Sequence, residues 1–320
     1  MDEQDYTGIK PEQLKHNRKL LSRMITLLES EDAKTLAFID EIYPESQNSF
    51  CIGITGPPGA GKSTLTNRLI EKHKLERKQD ETLAVIAVDP SSPFTGGAFL
   101  GDRIRLRASF DNDIFTRSLA SRGALGGLSA QTPEIIDLIE IAGFDLTIIE
   151  TVGVGQSEVE IAKQADLTLV ILQPETGDTI QALKAGLLEV GNIIVINKAD
   201  RPQAVEFRKS VEHALHLKTV GKIPPVFMVS AQKNEGVDEL FAKINKIYRE
   251  NIQDTAKSAE KKRNKIKERL LRRLHRNFNN SLTSPDFNAL LESTIDKIEN
   301  NELAFNKAYT KLASALGQKI

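Results

Sequence analysis

The sequence predicts an α/β fold: a mostly parallel β-sheet covered by helices on both faces, with helical extensions at the N- and C-terminal ends. Three observations lead there. Apolar runs at 50–55, 83–88, 113–117, 144–149, 167–172, 192–196 and 225–229 are too continuous for half-exposed strands and read as strands of a buried sheet. Amphipathic segments with helical spacing lie between them, as the crossovers of a parallel sheet require. The first run also opens directly into a glycine-rich octapeptide of the kind that joins a strand to a helix.

In chain order, residues 11–42 come first and carry helical spacing, with Leu14, Leu20, Leu21, Met24, Leu27 and Leu28 followed by Leu36 and Ile39. A polar stretch at 43–49 then acts as a linker. The octapeptide after the first strand, Gly56, Pro57, Pro58, Gly59, Ala60, Gly61, Lys62 and Ser63, fits G-x-x-x-x-G-K-S without a mismatch. That makes it a phosphate-binding loop and narrows the fold class to a P-loop NTPase. Its glycines let successive backbone N–H groups turn inward around a triphosphate. Lys62 reaches the outer phosphates, and the Ser63 hydroxyl can ligate Mg²⁺ where a helix N-terminus already favours anions. The helix that follows shows Leu65 and Leu69 on one face. A later helix has a readable start, with Thr132 as N-cap, Pro133 at its first position and Ile135, Ile136, Leu138 and Ile139 behind. Three regions result: a helical one at 1–48, a nucleotide-binding one at 49–250 and a polar helical one at 251–320.

The strand Ile193–Ile196 runs straight into Asn197-Lys198-Ala199-Asp200. A carboxylate at Asp200 can accept two hydrogen bonds from the N1–H and 2-amino group of guanine. Adenine offers no such donor pair and would leave the charge unpaired. Asn197 would bond the base edge or tie this loop to the phosphate loop, and the stem of Lys198 would lie along the base plane. Ser230 and Ala231, after the apolar residues 226–229, fit a third nucleotide loop whose backbone amide would meet the guanine oxygen.

Between the phosphate and base signals, three carboxylates sit at strand ends or in loops where a metal would lie: Asp89, Asp102 and Glu150. Mg²⁺ takes hard oxygen ligands and usually keeps several waters, so two or three carboxylates around Ser63 are chemically apt. Helix capping or turn formation is the alternative use of each. Gly153 can offer its N–H to a γ-phosphate. Phosphoryl transfer to water needs positioning and charge neutralisation, which Lys62, Mg²⁺ and the loop amides supply. Asp89 and Gln156 are the candidates for orienting the water, with Lys62 and Glu150 completing the catalytic set. Arg103, Arg105, Arg107, Arg117 and Arg122 can neutralise charge or serve as structural ion pairs. None stands out as a built-in arginine finger, which predicts slow intrinsic hydrolysis accelerated by a partner.

Composition sets the outer limits. With charged residues at 27% and a net charge of −1, the chain is neither a nucleic-acid binder nor disordered. No run approaches the length of a membrane span, and the acidic start lacks the regions of a signal peptide, which predicts a cytoplasmic protein. Cys51 is the single cysteine, inside the first strand, and is expected to be a small buried core residue. From Lys257 to Arg276 there are ten Lys/Arg against two Glu, threaded by Ile266, Leu270, Leu274 and Phe278 at four-residue intervals. Such a helix suits an acidic partner, a membrane surface or another helix; a solvated face around a packing stripe is the plainer reading.

Taken together, the motifs resemble the methylmalonyl-CoA mutase-associated GTPases, the MeaB/ArgK group. The phosphate loop through Thr64 carries the likeness, with Val88-Asp-Pro-Ser-Ser-Pro, Thr95-Gly-Gly-Ala-Phe-Leu-Gly-Asp-Arg-Ile-Arg, Ser121-Arg-Gly-Ala-Leu-Gly-Gly, Ile149-Glu-Thr-Val-Gly-Val-Gly-Gln-Ser-Glu and the Asn197 tetrapeptide. It covers nearly the whole chain, and the Glu150 and Ser121 stretches are far more diagnostic than the phosphate loop. Gly191-Asn192, where an Ala-Asp-like pair is commoner, is a small departure. The resemblance implies a GTP-hydrolysing chaperone that gates loading of adenosylcobalamin into an acyl-CoA mutase and the protection or reactivation of that enzyme. It also implies switch loops at 89–105 and 150–158, a further mobile segment at 174–184 with Gln181 and Lys184 as polar relays, and a homodimer built on the C-terminal helices. Two rivals remain: an ATP-dependent accessory of basic amino-acid transport, and a metal-insertion GTPase. The second needs Cys/His ligands, whereas Cys51 stands alone and His16, His73, His213, His216 and His275 are scattered.

Overall fold

A computed structural model of the chain describes residues 9–43, 49–78, 81–89, 114–120, 131–151, 157–174, 186–218 and 223–317. The chain divides into two compact units, Met1–Gln253 and Asp254–Ile320.

Among the described residues the first unit has seven strands: β1 (Phe50–Thr55), β2 (Leu83–Asp89), β3 (Ile114–Ala120), β4 (Leu146–Thr151), β5 (Leu167–Leu172), β6 (Ile193–Ile196) and β7 (Val226–Met228). All pairings are parallel, in the order β3-β2-β4-β1-β5-β6-β7. From β1 the chain crosses over β4 to reach β2, and from β4 it crosses over β1 to reach β5, so β1 stands where the winding reverses. In open α/β sheets the crevice at the carboxyl ends of such strands is where ligands sit. The central strands β1, β4, β5 and β6 are buried along their whole length, which explains their mainly apolar sequences.

Successive residues on a strand face opposite sides, and the core divides accordingly. Ala84, Ile86 and Val88 of β2 pack into one apolar cluster, while Leu83, Val85 and Ala87 pack into another. The first cluster is closed by α1 (Pro11–His16), α2 (Arg18–Glu29), α3 (Ala33–Ile42) and α5 (Thr132–Ile141). The second is closed by α4 (Lys62–Glu76) and α9 (Val237–Gln253), through Leu65, Leu69 and Ile70 facing Leu240, Phe241 and Ile244. α6 (Ser157–Gln164), α7 (Leu187–Val190) and α8 (Ala204–Lys218) complete the crossovers. The N-terminal helices are thus core elements of this unit: Leu14, Leu21, Met24, Ile25, Leu28 and Ile39 are all fully buried.

The second unit is α10 (Thr255–Leu282), α11 (Pro285–Glu299) and α12 (Phe305–Gly317). Ser284 caps α11 by accepting the Phe287 N–H; Phe287 and Thr294 of α11 and Ala308 of α12 are buried. The stripe Ile266, Leu270, Leu274 and Phe278 of α10 is exposed.

The sheet covered on both faces is as the sequence predicts, with local corrections. The helical region at 11–42 comprises three helices; Asn17 caps the second by accepting the Leu20 N–H, and Asp32 the third by accepting the Thr35 N–H. β4 starts at Leu146 rather than 144, because the Asp145 carboxylate accepts from Thr82 and anchors the entrance of β2. β3 runs on to Ala120, its polar residues lying on an edge strand that mixes both characters. Gln131, and not Thr132, holds the N-cap of α5, while Thr132 is wholly buried inside the first turn.

Candidate functional site

The phosphate-binding loop leaves the carboxyl end of β1 and closes into α4. Gly56 (φ 141°) passes so close to β5 that a Cβ there would run into the Ile171 carbonyl. Gly61 (φ 85°) caps α4 in the left-handed region, against the Asn197 amide. Neither place admits a side chain. Ala60 is buried, while Pro58 and Gly59 face solvent. The Lys62 ammonium turns back over its own loop and donates to the carbonyls of Gly56 at 2.8 Å and Pro57 at 2.9 Å. Both acceptors are neutral, so phosphate oxygens would be stronger partners for the same donor.

Beside this loop the Ser63 hydroxyl donates to Glu150 Oε1. Glu150 is buried at the carboxyl end of β4, next to Ile54 of β1. This hydroxyl and carboxylate are the hard oxygen donors that Mg²⁺ uses when phosphates and water complete its shell. Among the described residues no group of three or more His, Cys, Asp or Glu forms a protein-only metal cage, and Mg²⁺ seldom needs one.

The groups expected to read the base stand at the ends of β6 and β7. Asn197 Nδ2 donates to the Ala60 carbonyl at 2.8 Å, and its Oδ1 accepts from the Ala231 N–H at 3.0 Å. Its own N–H donates to the Leu172 carbonyl at 2.8 Å. One buried side chain therefore ties the phosphate loop, the Asn197 loop and the Ser230 loop together. Asp200 lies exposed at the rim. The Ser230 hydroxyl donates to its carboxylate, its own backbone N–H adds a bond, and Lys233 stands 3.4 Å away. These partners hold the Asp200 carboxyl below its ordinary value, so it stays an acceptor at neutral pH.

With that geometry in place, comparison with known proteins decides the lineage. The family described as methylmalonyl-CoA mutase-associated GTPase MeaB matches residues 21–284. The chain belongs to the MeaB family. A putative GTPase of Pyrococcus abyssi is 45% identical over 262 residues, covering 80% of each chain. The mouse mitochondrial methylmalonic aciduria type A homolog is 36% identical over 257 residues, covering 74% of this chain and 60% of the mouse protein. A crystal structure described as an LAO/AO transport system kinase superposes with a TM-score of 0.68 at 28% identity, covering 98% of each chain. The motif resemblance thus holds, and the MeaB-family chain is a GTPase on a P-loop fold.

Within this MeaB-family site the structure brings together Gly56 to Thr64, Glu150, Asn197, Lys198, Asp200, Ser230 and Ala231. Asp89 ends β2 beside Ala120. Asp102, Gly153, Gln156, Gln181 and Lys184 lie outside the described residues, as do Arg103, Arg105, Arg107 and Arg122. Arg117 is different: on edge strand β3 it donates to Thr26 at 2.8 Å and to the Glu29 carboxylate at 2.9 Å. It is a structural ion pair that fastens α2 to the sheet. The Ser230 and Ala231 N–H groups are already engaged, with the Glu235 carbonyl and Asn197 Oδ1, so a guanine oxygen would share the Ala231 donor in a three-centre bond. Cys51 is buried, as expected of a core residue.

Sequence reasoning missed three neighbours. Arg68 of α4 donates to the Ala231 carbonyl at 3.1 Å; it lies 163 positions away and carries no motif. Lys233 faces Asp200. Gln173, buried just after β5, accepts from the Lys198 ammonium; a polar residue ending an apolar strand was the one available sign.

Proposed function

We propose that this chain is a GTP-dependent chaperone that gates adenosylcobalamin loading into an acyl-CoA mutase of the methylmalonyl-CoA type, and the protection or reactivation of that enzyme. The observation that carries the reading is the MeaB family match over residues 21–284, joined to a pocket in which Asn197 binds phosphate loop and base loop into one body. The mouse relative's name, with its methylmalonic aciduria, points the same way.

In the mechanism the chain's own groups mainly position. Loop N–H groups and the α4 N-terminus hold the phosphates. Lys62 exchanges its two loop carbonyls for phosphate oxygens, and Asp200 pairs with the guanine edge. Ser63 and Glu150, with Asp89 and Asp102, would hold Mg²⁺, which when bound neutralises charge across the outer phosphates. Gly153 offers its N–H to the γ-phosphate, and Asp89 or Gln156 orients the attacking water. Loss of the γ-phosphate then releases the loops at 89–105 and 150–158, and that release is the gate. With no arginine assigned to the phosphates, turnover by the isolated chain is slow and a partner raises it. The protein works in the cytoplasm as a homodimer through residues 251–320, outside the nucleotide-binding region 49–250 and the helical region 1–48.

The experiment is a pull-down with an adenosylcobalamin-dependent mutase under GTP, GDP and a non-hydrolysable analogue, with phosphate release measured alongside. Association together with faster GTP turnover is expected. No association under any nucleotide sinks the chaperone role. The likeness to the LAO/AO transport system kinase favours a second reading, an ATP-dependent transport accessory. A melting-temperature rise with ADP and none with GDP would select it.

A further inference from the structure

One contact in the base-reading half of the site belongs to no nucleotide motif. Gln173 is only 5% exposed, and its Oε1 accepts a hydrogen bond from the Lys198 ammonium. Both ends of this link are constrained. Lys198 sits in the left-handed region, φ 56°, a conformation uncommon for a residue with a side chain. The residues just before each partner are laced as well, since the Asn197 N–H donates to the Leu172 carbonyl. On its other side the Gln173 amide nitrogen lies 3.8 Å from where a Cβ on Gly59 would stand. Gln173 is therefore wedged between the phosphate loop and the base loop.

We propose that Gln173 is a positioning residue for guanine recognition. By fixing the ammonium end of Lys198, it lays the four-carbon stem of that side chain across the plane where the purine stacks. A lysine side chain loses much rotamer freedom when ordered. A buried, charge-assisted hydrogen bond completes that ordering before a nucleotide arrives, so the nucleotide's residence time increases. The inference rests on the guanine reading of the site and adds to it a residue that no motif contains.

The test separates an acceptor from a space-filler. Gln173→Met keeps length and apolar volume but removes the acceptor, whereas Gln173→Glu keeps an acceptor for Lys198. Release of a fluorescent GDP analogue, chased with excess GDP, is expected to be ~10-fold faster for Gln173→Met, the scale of one charge-assisted bond. Gln173→Glu restores the rate to within about threefold of the parent chain. Lys198→Met alone should match Gln173→Met, and adding Gln173→Met to it should change nothing more. Unchanged release from Gln173→Met overturns the proposal; so does equal acceleration by Met and Glu, or additivity with Lys198→Met. If instead the parent chain itself does not prefer GDP to ADP, it is the underlying guanine reading that fails.

Discussion

Asp200 shows how much at this site depends on a single charge. Its carboxylate takes the Ser230 hydroxyl first, then its own N–H and Lys233, and its pKa falls below the ordinary 3.8. A lowered carboxyl gives stability that is complete above the unfolded value and is lost only as the pH drops through the lower folded one. Preference for GDP over ADP is therefore expected to stay flat between about pH 5 and pH 8, as calorimetry across that range would show. Asp200→Asn replaces an acceptor by an amide that can donate to a carbonyl. It is expected to weaken GDP binding by ~100-fold and to favour xanthosine diphosphate, whose C2 carbonyl accepts where guanine donates. Of the two uses the sequence left open for Asn197, the structure displays the tie to the phosphate loop. Local motif and strand context made Lys62, Ser63, Asn197 and Asp200 legible. Gln173, Arg68 and Lys233 were not, because their roles depend on residues brought together from 25, 163 and 33 positions away.

At the scale of elements, α4 does most of the joining. Its first residue meets the phosphate loop, Arg68 holds the Ser230 loop, and Lys72 pairs with Asp238 at the start of α9. Its far end buries His73, whose Nε2 has no hydrogen-bond partner among the described residues. Burial lowers the His73 pKa from its ordinary 6.5, helped by Arg77 and opposed by Glu81 and Asp145. Below about pH 6.5 the unfolded chain gains a proton at this histidine that the folded chain resists, so stability declines as the pH falls. Melting scans at pH 7.5 and pH 5.5 should show a smaller acid loss for His73→Phe than for the parent chain. An equal loss in both would place the acid sensitivity elsewhere. Strand positions were readable to within about three residues because apolar runs mark burial. Where the ends moved, polar residues such as Asp145 and Arg117 had acquired partners across the fold.

For the molecule as a whole, two faces remain to be accounted for. In the proposed homodimer the exposed stripe on α10 is the surface for a second copy, and like charges along the same helix demand a good apolar seam. Leu270→Glu together with Leu274→Glu is expected to give monomers in sedimentation while leaving GDP affinity within about twofold, since neither residue belongs to the nucleotide site. Unaltered sedimentation would remove this helix from the interface. The other face is the side of the sheet that α2 covers, with Ala84, Ile86, Val88, Phe115 and Leu119. A bare apolar sheet face invites association with other molecules. Here α2 packs on it through Leu21, Met24, Ile25 and Leu28, and Arg117, reaching Thr26 and Glu29, pins the helix in place. The segment ahead of β1 therefore acts as a shield against intermolecular stacking, besides filling the core. Trimming the chain back to Ser49 to obtain a minimal nucleotide binder would lay bare that face, and the shortened protein is expected to sediment as insoluble aggregate at temperatures where the untrimmed chain stays dispersed.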